Sequence, residues 1–302
     1  MINRIIHRIK RLISSLYRKF GLVDIETIYF EGGLGSQILA YLELLGKCEI
    51  HAKEPSKLKP MCDATYFARN VGYEKDGLRI GPWLLNEYGL SVKDLEPYSR
   101  RKISKFAKVR AGVNEKIEFI NGAYYFALAQ KYRDVVKNER DIIKFAVNEV
   151  GLHETEANNT DGLLNCCAIH IRRGDYLQVA SHIISDNDYM MLLKKIESFI
   201  PDTFVIFSDS ILGSEFKREI VDTFKHKKVI FCEGNKYQEI DVHNFMRSAK
   251  VLVTGNSTFS LTAGFLANRN SIVFSPIKFY GGLTKKENTN PFISAGEFFL
   301  LK

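Results

Sequence analysis

The sequence has no Cys-x-x-Cys pair. Its five cysteines, Cys48, Cys62, Cys166, Cys167 and Cys232, are odd in number and have no histidine at ligand spacing. That usage argues against a disulfide frame and a zinc site, and it suits reduced thiols in a cytosolic compartment. There is also no uninterrupted apolar run of about 18 residues, so no transmembrane helix is expected. Charges interrupt every N-terminal stretch that would serve as a signal-peptide core. Residues 1–22 contain no acidic residue, whereas Arg4, Arg8, Lys10, Arg11, Arg18 and Lys19 make them strongly basic. The formal charge of +8 therefore sits mostly there, since the other 280 residues hold 37 basic against 35 acidic side chains. A basic tail on a near-neutral body argues against a nucleic-acid-binding core. Internal repeats and low-complexity tracts are lacking as well.

What is present is a 302-residue chain with 45 % hydrophobic residues, enough for two domains with real cores. Apolar residues at 2, 5, 6, 9, 12, 13, 16, 17 and 20 have helical spacing. Residues 1–22 are therefore expected to form a basic amphipathic helix, either packed on the body or lying through residues 1–20 on an anionic membrane surface. ETIYF (26–30) reads as a strand, GGLGS (32–36) as a glycine turn and QILAYLELLGK (37–47) as a helix. A basic stretch at 100–110 reads as a solvated face or a surface for an anionic acceptor. Residues 131–149 resemble one long helix, and the polar segment GLHETEANNTDG (151–162) is the expected domain boundary.

Beyond that boundary, apolar strand-like runs at 166–171, 203–208, 228–232, 250–254 and 271–275 alternate with helical patterns at 188–199, 213–224, 239–249 and 259–267. Continuous apolar strands between helices predict a parallel sheet covered on both faces, a Rossmann-like half. Ligands of such sheets bind beyond the carboxyl ends of the strands. His170, Arg172, Arg173 and Asp175 fall at one such end, and the loop and helix start Asn256-Ser257-Thr258-Phe259 at another. Arginine forks and a helix N-terminus both suit phosphate. With the turn at 32–36 they suggest a diphosphate gripped between two lobes; a structural Arg–Asp pair is the alternative. GGLGSQ lacks the Lys-Ser/Thr of a P-loop. Asp186-Asn187-Asp188 is read as a helix cap and first turn rather than a metal-binding D-x-D.

HIRRGDY (170–176), followed by His182 and Asp188-Tyr189, resembles the hallmark motif of glycosyltransferase family 11, the α-1,2-fucosyltransferases. EGGLGSQILAY (31–41), INGAYYFALAQKYRDV (120–135), FSDS (207–210) and GNSTFSLTAGFL (255–266) resemble its other motifs in order. The chain departs from that pattern at Ser36, where the family has Asn, and at Leu261-Thr262, where it has Trp-Trp.

The resemblance implies a GT-B fold of two Rossmann-like lobes, an acceptor-side lobe at 23–155 and a nucleotide-sugar lobe at 156–302. It also implies an inverting, metal-independent transfer from GDP-fucose to a glycan hydroxyl, of the galactoside α-1,2 type, with no cofactor. Arg172 and Arg173 are assigned to the pyrophosphate, with Arg173 preferred, and Ser257, Thr258 and Phe259 to the β-phosphate. His170 and Asn256 join the donor site, Gly33, Gly35 and Ser36 close over the donor, and Asp209 reaches ribose or base. Glu31 and Asp175 are the candidate bases. The expected setting is the cytoplasmic face of a bacterial membrane, where the enzyme builds surface polysaccharide on a lipid-linked acceptor. Transfer of another GDP-deoxysugar, or silent nucleotide-sugar binding, is the alternative.

Overall fold

A computed structural model describes residues 25–30, 32–53, 59–63, 74–75, 78–79, 84–85, 88, 90, 122–136, 141–157, 162–174, 177, 183–234, 236–276, 294–295 and 298–301. The expected N-terminal helix at 1–22 lies outside them. The chain divides into two compact units: Met1–Ile117 with Asp134–Lys137, and Glu118–Arg133 with Asn138–Lys302.

In the first unit, β1 (Ile25–Tyr29) pairs in parallel with β2 (Lys59–Asp63), from Ile25 opposite Lys59 to Tyr29 opposite Asp63. The crossover between them is α1 (Leu34–Lys53). A two-residue pair, β3 (Glu74–Lys75) and β4 (Leu78–Arg79), is antiparallel. The glycine turn is shorter than 32–36, because Leu34, Gly35 and Ser36 already belong to the helix. Gly32 makes the turn with φ +77, a left-handed conformation that side chains disfavour. Buried Gln37 then fastens it, donating from Nε2 to Gly32 O (3.0 Å) and accepting from Leu84 N–H at Oε1 (2.9 Å).

The second unit is a seven-stranded sheet. Its strands are β5 (Leu164–Ile171), β6 (Thr203–Ser208), β7 (Lys228–Glu233), β8 (Ala249–Val253), β9 (Ile272–Pro276), β10 (Ser294–Ala295) and β11 (Phe298–Leu300). The spatial order is β10-β11-β9-β8-β5-β6-β7. Strands β5 to β9 are mutually parallel, and β10 and β11 add an antiparallel edge. The expected parallel α/β sheet is therefore present.

Alternation along β5 divides its side chains between two layers. Cys167, Ile169 and Ile171 pack with Tyr189, Met190 and Leu193 of α5 (Asp186–Ile196) and with Phe216 and Ile220 of α6 (Ser214–Thr223). Cys166 and Ala168 face the other layer. There lie Phe245 and Met246 of α7 (Glu239–Ser248) and Ala263 of α8 (Thr258–Phe265).

The single helix expected over 131–149 is two helices. Helix α2 (Gly122–Tyr132) ends in a turn through Val136. Asp141 then starts α3 (Ile142–Phe145) by accepting from Lys144 N–H, and a π-helical turn (Ala146–Val150) continues it to Gly151 at φ +90. Phe145, Ala146 and Val150 bury against the sheet, so this segment belongs to the second unit. The polar stretch 151–162 holds the short α4 (Glu154–Ala157) and is internal to that unit.

Candidate active site at the strand switch point

Chain order and spatial order meet at β5. From it the sheet proceeds one way through β6 and β7 and the other way through β8 and β9. Connections that depart in opposite directions leave a crevice at the carboxyl ends of β5 and β8, where doubly wound sheets bind ligands. Arg172 and Arg173 follow β5, and Thr254 to Ser257 follow β8.

The two arginines leave the strand toward different layers. Arg173 continues the parity of Ile169 and Ile171, and its guanidinium is drawn to α5. It pairs there with Asp186, donates from Nη1 to Ile184 O (2.9 Å) and lies over the Tyr189 ring at 5.9 Å. Its side chain is only 11 % exposed. Arg172 shares the parity of Cys166 and Ala168, is 31 % exposed and meets Asp209 at the end of β6, Nη1 to Oδ2 at 3.0 Å. Asp209 Oδ1 also accepts the Arg173 backbone N–H at 2.8 Å. One carboxylate thus fixes both the side chain of the first arginine and the main chain of the second. Arg173, the phosphate contact preferred from sequence, thus has its guanidinium engaged by α5, whereas that of Arg172 is the more exposed of the two. The arginines pair with Asp209 and Asp186; Asp175, their partner in the alternative read from sequence, lies with Glu31 and His182 outside the described residues.

His170 is buried at the end of β5. Tyr189, held in place by α5, donates its hydroxyl to His170 O at 3.1 Å. Burial, then the neighbouring Arg172 charge, pushes the imidazole down to about 3, so the ring is neutral near pH 7. Its Nδ1 is buried without a hydrogen-bond partner. Across the crevice floor Gly255 presses on the same strand: a Cβ there would meet His170 O at 2.7 Å and His170 Nδ1 at 3.0 Å. Only glycine permits that approach of β8's end to β5's end.

After Gly255 the chain turns into α8. Ser260 Oγ accepts the Gly255 N–H (3.0 Å), and Ser257 N–H donates to Gly255 O (2.9 Å). Ser257 is the N-cap, accepting the Phe259 N–H at 3.3 Å. Of the three groups expected to offer N–H to a phosphate, those of Ser257 and Phe259 therefore already have acceptors within the loop. Asn256 and Ser257 are buried, and the Phe259 ring stands 5.5 Å from that of His170.

Asp186 and Asp188 sit in the first turn of α5, as expected. Asp188 and Ser185 form a capping box, with Asp188 N–H on Ser185 Oγ at 3.1 Å, while Asp186 serves Arg173. Among the described residues no cluster of three or more His, Cys, Asp or Glu would hold a metal ion. Gly33, Gly35 and Ser36 lie in the first unit, Gly33 exposed, Gly35 buried and Ser36 half-buried.

Sequence reasoning missed Gly174, whose Cβ would overlap the Asp209 carboxylate, and the role of Asp186 toward Arg173. It also missed Glu233 at the end of β7. That carboxylate accepts Leu212 N–H (2.7 Å) and pairs with Lys217 (3.0 Å), tying down the loop that carries Asp209. A glycine beside two arginines was the available signal for the first; nothing local marks the other two.

The chain matches the model of glycosyl transferase family 11 over residues 99–291. It is similar to an alpha-1,2-colitosyltransferase of Escherichia coli, 25 % identical, with 86 % of this chain and 93 % of that protein covered. Among solved structures it is similar to POFUT1 in complex with GDP-fucose, at 13 % identity and a TM-score of 0.43, covering 83 % of this chain and 97 % of that one. The POFUT1 complex with GDP gives 11 % identity, the same TM-score and the same coverage.

Proposed function

From the membership of this chain in glycosyl transferase family 11, we propose that it transfers L-fucose from GDP-fucose to a glycan hydroxyl in α-1,2 linkage, with inversion and without a metal. The observation that carries the reading is Arg172: a half-buried guanidinium held by Asp209 at the crevice of a parallel sheet, across from the start of α8. Departure of GDP builds negative charge on the diphosphate. A preorganised cation and helix N-terminus stabilise that charge without the cost of reorienting water. In this reading Arg172 touches the diphosphate, Arg173 positions the strand end, and Asn256, Ser257, Thr258 and Phe259 complete the cradle. Metal independence is part of the proposal; its support is that Asp186 and Asp188 serve an arginine and a cap.

The reading brings a GT-B architecture with it, in which Gly33, Gly35 and Ser36 belong to the donor site, with Glu31 or Asp175 as base; its support is sequence resemblance. Residues 1–20 extend the proposal to peripheral attachment at an anionic membrane surface on the cytoplasmic side, with a lipid-linked glycan as acceptor. The basic charge and helical spacing of that segment support this extension. A second reading, transfer of another deoxysugar from GDP, is favoured by the name of the E. coli relative, a colitosyltransferase.

The test is a panel of GDP- and UDP-sugars offered to the purified protein, with nucleotide release followed in the presence of EDTA. GDP release from GDP-fucose and inert UDP-sugars are expected, because a site built to hydrogen-bond guanine leaves polar groups unpaired with uracil. Release only from another GDP-deoxysugar selects the second reading. GDP binding without release from any donor, even with mixed glycan acceptors, indicates a silent binder. Preference for a UDP-sugar contradicts the proposal, and loss with EDTA restored by Mn²⁺ contradicts its metal independence.

A further inference from the structure

His243 is a fully buried imidazole on α7, away from the strand ends and unused by the reaction as proposed. Its Nε2 stands 3.0 Å from Thr262 Oγ1. The same hydroxyl lies 2.9 Å from Thr258 O and 3.0 Å from Phe259 O. A threonine hydroxyl has one proton to donate, and the carbonyls can only accept. With the Thr262 proton on a first-turn carbonyl of α8, its oxygen accepts from His243 in the Nε2–H tautomer. Burial, then Arg247 and His170, holds this ring well below its ordinary protonation range, consistent with a neutral donor.

The ring makes a second contact with the same turn. Its centroid is 5.5 Å from that of Phe259 in an edge-on arrangement, and Phe259 stands at 5.5 Å from His170 on β5. His243 thus reaches the start of α8 by two routes: through the Thr262 hydroxyl to the carbonyls of Thr258 and Phe259, and through the Phe259 ring. A leucine would fill this space with no polar group to satisfy. An imidazole buried here requires a fixed partner, and its partner fixes the turn.

We propose that His243 is a positioning residue for the donor, acting through Thr262 and Phe259 to hold the first turn of α8 in the orientation that receives the diphosphate. This rests on the reading that α8 begins at the GDP-binding crevice. The amide of glutamine can stand in for the Nε2–H of histidine, whereas that of asparagine is too short to reach Thr262.

The experiment is calorimetric titration of GDP and of guanosine, with urea unfolding, for wild type, Thr262→Val, His243→Leu, His243→Gln and His243→Asn. Thr262→Val, His243→Leu and His243→Asn are expected to bind GDP about tenfold more weakly, as fits loss of one buried hydrogen bond. Guanosine affinity is unchanged, and His243→Gln stays near wild type. In turnover the donor KM rises in step while kcat changes little. A purely structural role predicts lower urea midpoints with an unaltered ratio of GDP to guanosine affinity, and that result overturns the inference. Should Thr262→Val or His243→Leu not fold, equal GDP affinity of the Gln and Asn variants overturns it as well. No GDP binding by the wild type removes the underlying reading, and this inference with it; normal wild-type binding with unaffected variants removes the inference alone.

Discussion

Gly174 has no room for a Cβ on the side that faces Asp209. A Cβ there would overlap the Asp209 carboxylate, which holds Arg172 by its side chain and Arg173 by its backbone N–H. Gly174→Ala is therefore expected to push that carboxylate off both partners and to lower kcat/KM by at least about tenfold, the value of one charge-assisted hydrogen bond. Gly213→Ala is the control, since its Cβ would meet nothing within 4 Å and its φ is −57. Steady-state kinetics of the two variants check this. Equal activity would mean that Asp209 does not organise the arginines. Sequence placed Arg172, Arg173 and Asp209 at strand ends correctly, because apolar runs and turn residues are local signals. It could not say which partner each would take, because that depends on which strand end and which helix start the fold sets beside them.

The fate of the two arginines is decided by elements. Strand alternation sends side chains 171 and 173 to the α5 layer and side chain 172 to the α7–α8 layer. That alternation is legible in the sequence; that the crevice opens beside β8 is not, since strand order is a non-local outcome of folding. The broken helix at 131–149 teaches the same lesson in reverse. Its apolar periodicity runs on, but the chain breaks at the turn through Val136 and restarts under the cap that Asp141 places on Lys144 N–H. At this scale stability and activity should separate. Arg173→Ala removes hydrogen bonds to Ile184 O and Arg172 O and the pairing with Asp186. With Asp186 about half exposed and its ion pair discounted accordingly, the expected loss is about 2 kcal/mol. Arg172→Ala, at a partly solvated pair, should cost about 1 kcal/mol or less. Urea unfolding of both variants measures the difference. Equal losses would contradict the structural role given to Arg173.

For the molecule as a whole, the order β9-β8-β5-β6-β7 decides which strand ends become neighbours. It brings the ends of β5 and β8 side by side, with Gly255 pressed on His170 and α8 rising from the crevice. Alternating strands and helices announced the parallel sheet, and ordered motifs announced the family. The division of the chain at 117/118, with 134–137 assigned to the first unit, had no compositional signal in the sequence. The central claim is that this switch point takes the diphosphate of GDP through Arg172. The direct measurement is calorimetric titration of GDP and guanosine into wild type and Arg172→Ala. Wild type should bind GDP, and Arg172→Ala should bind it about 10²-fold more weakly, as expected on loss of a charge-assisted contact to the diphosphate, with guanosine affinity unaltered. A folded Arg172→Ala that binds GDP as tightly as wild type would contradict the account.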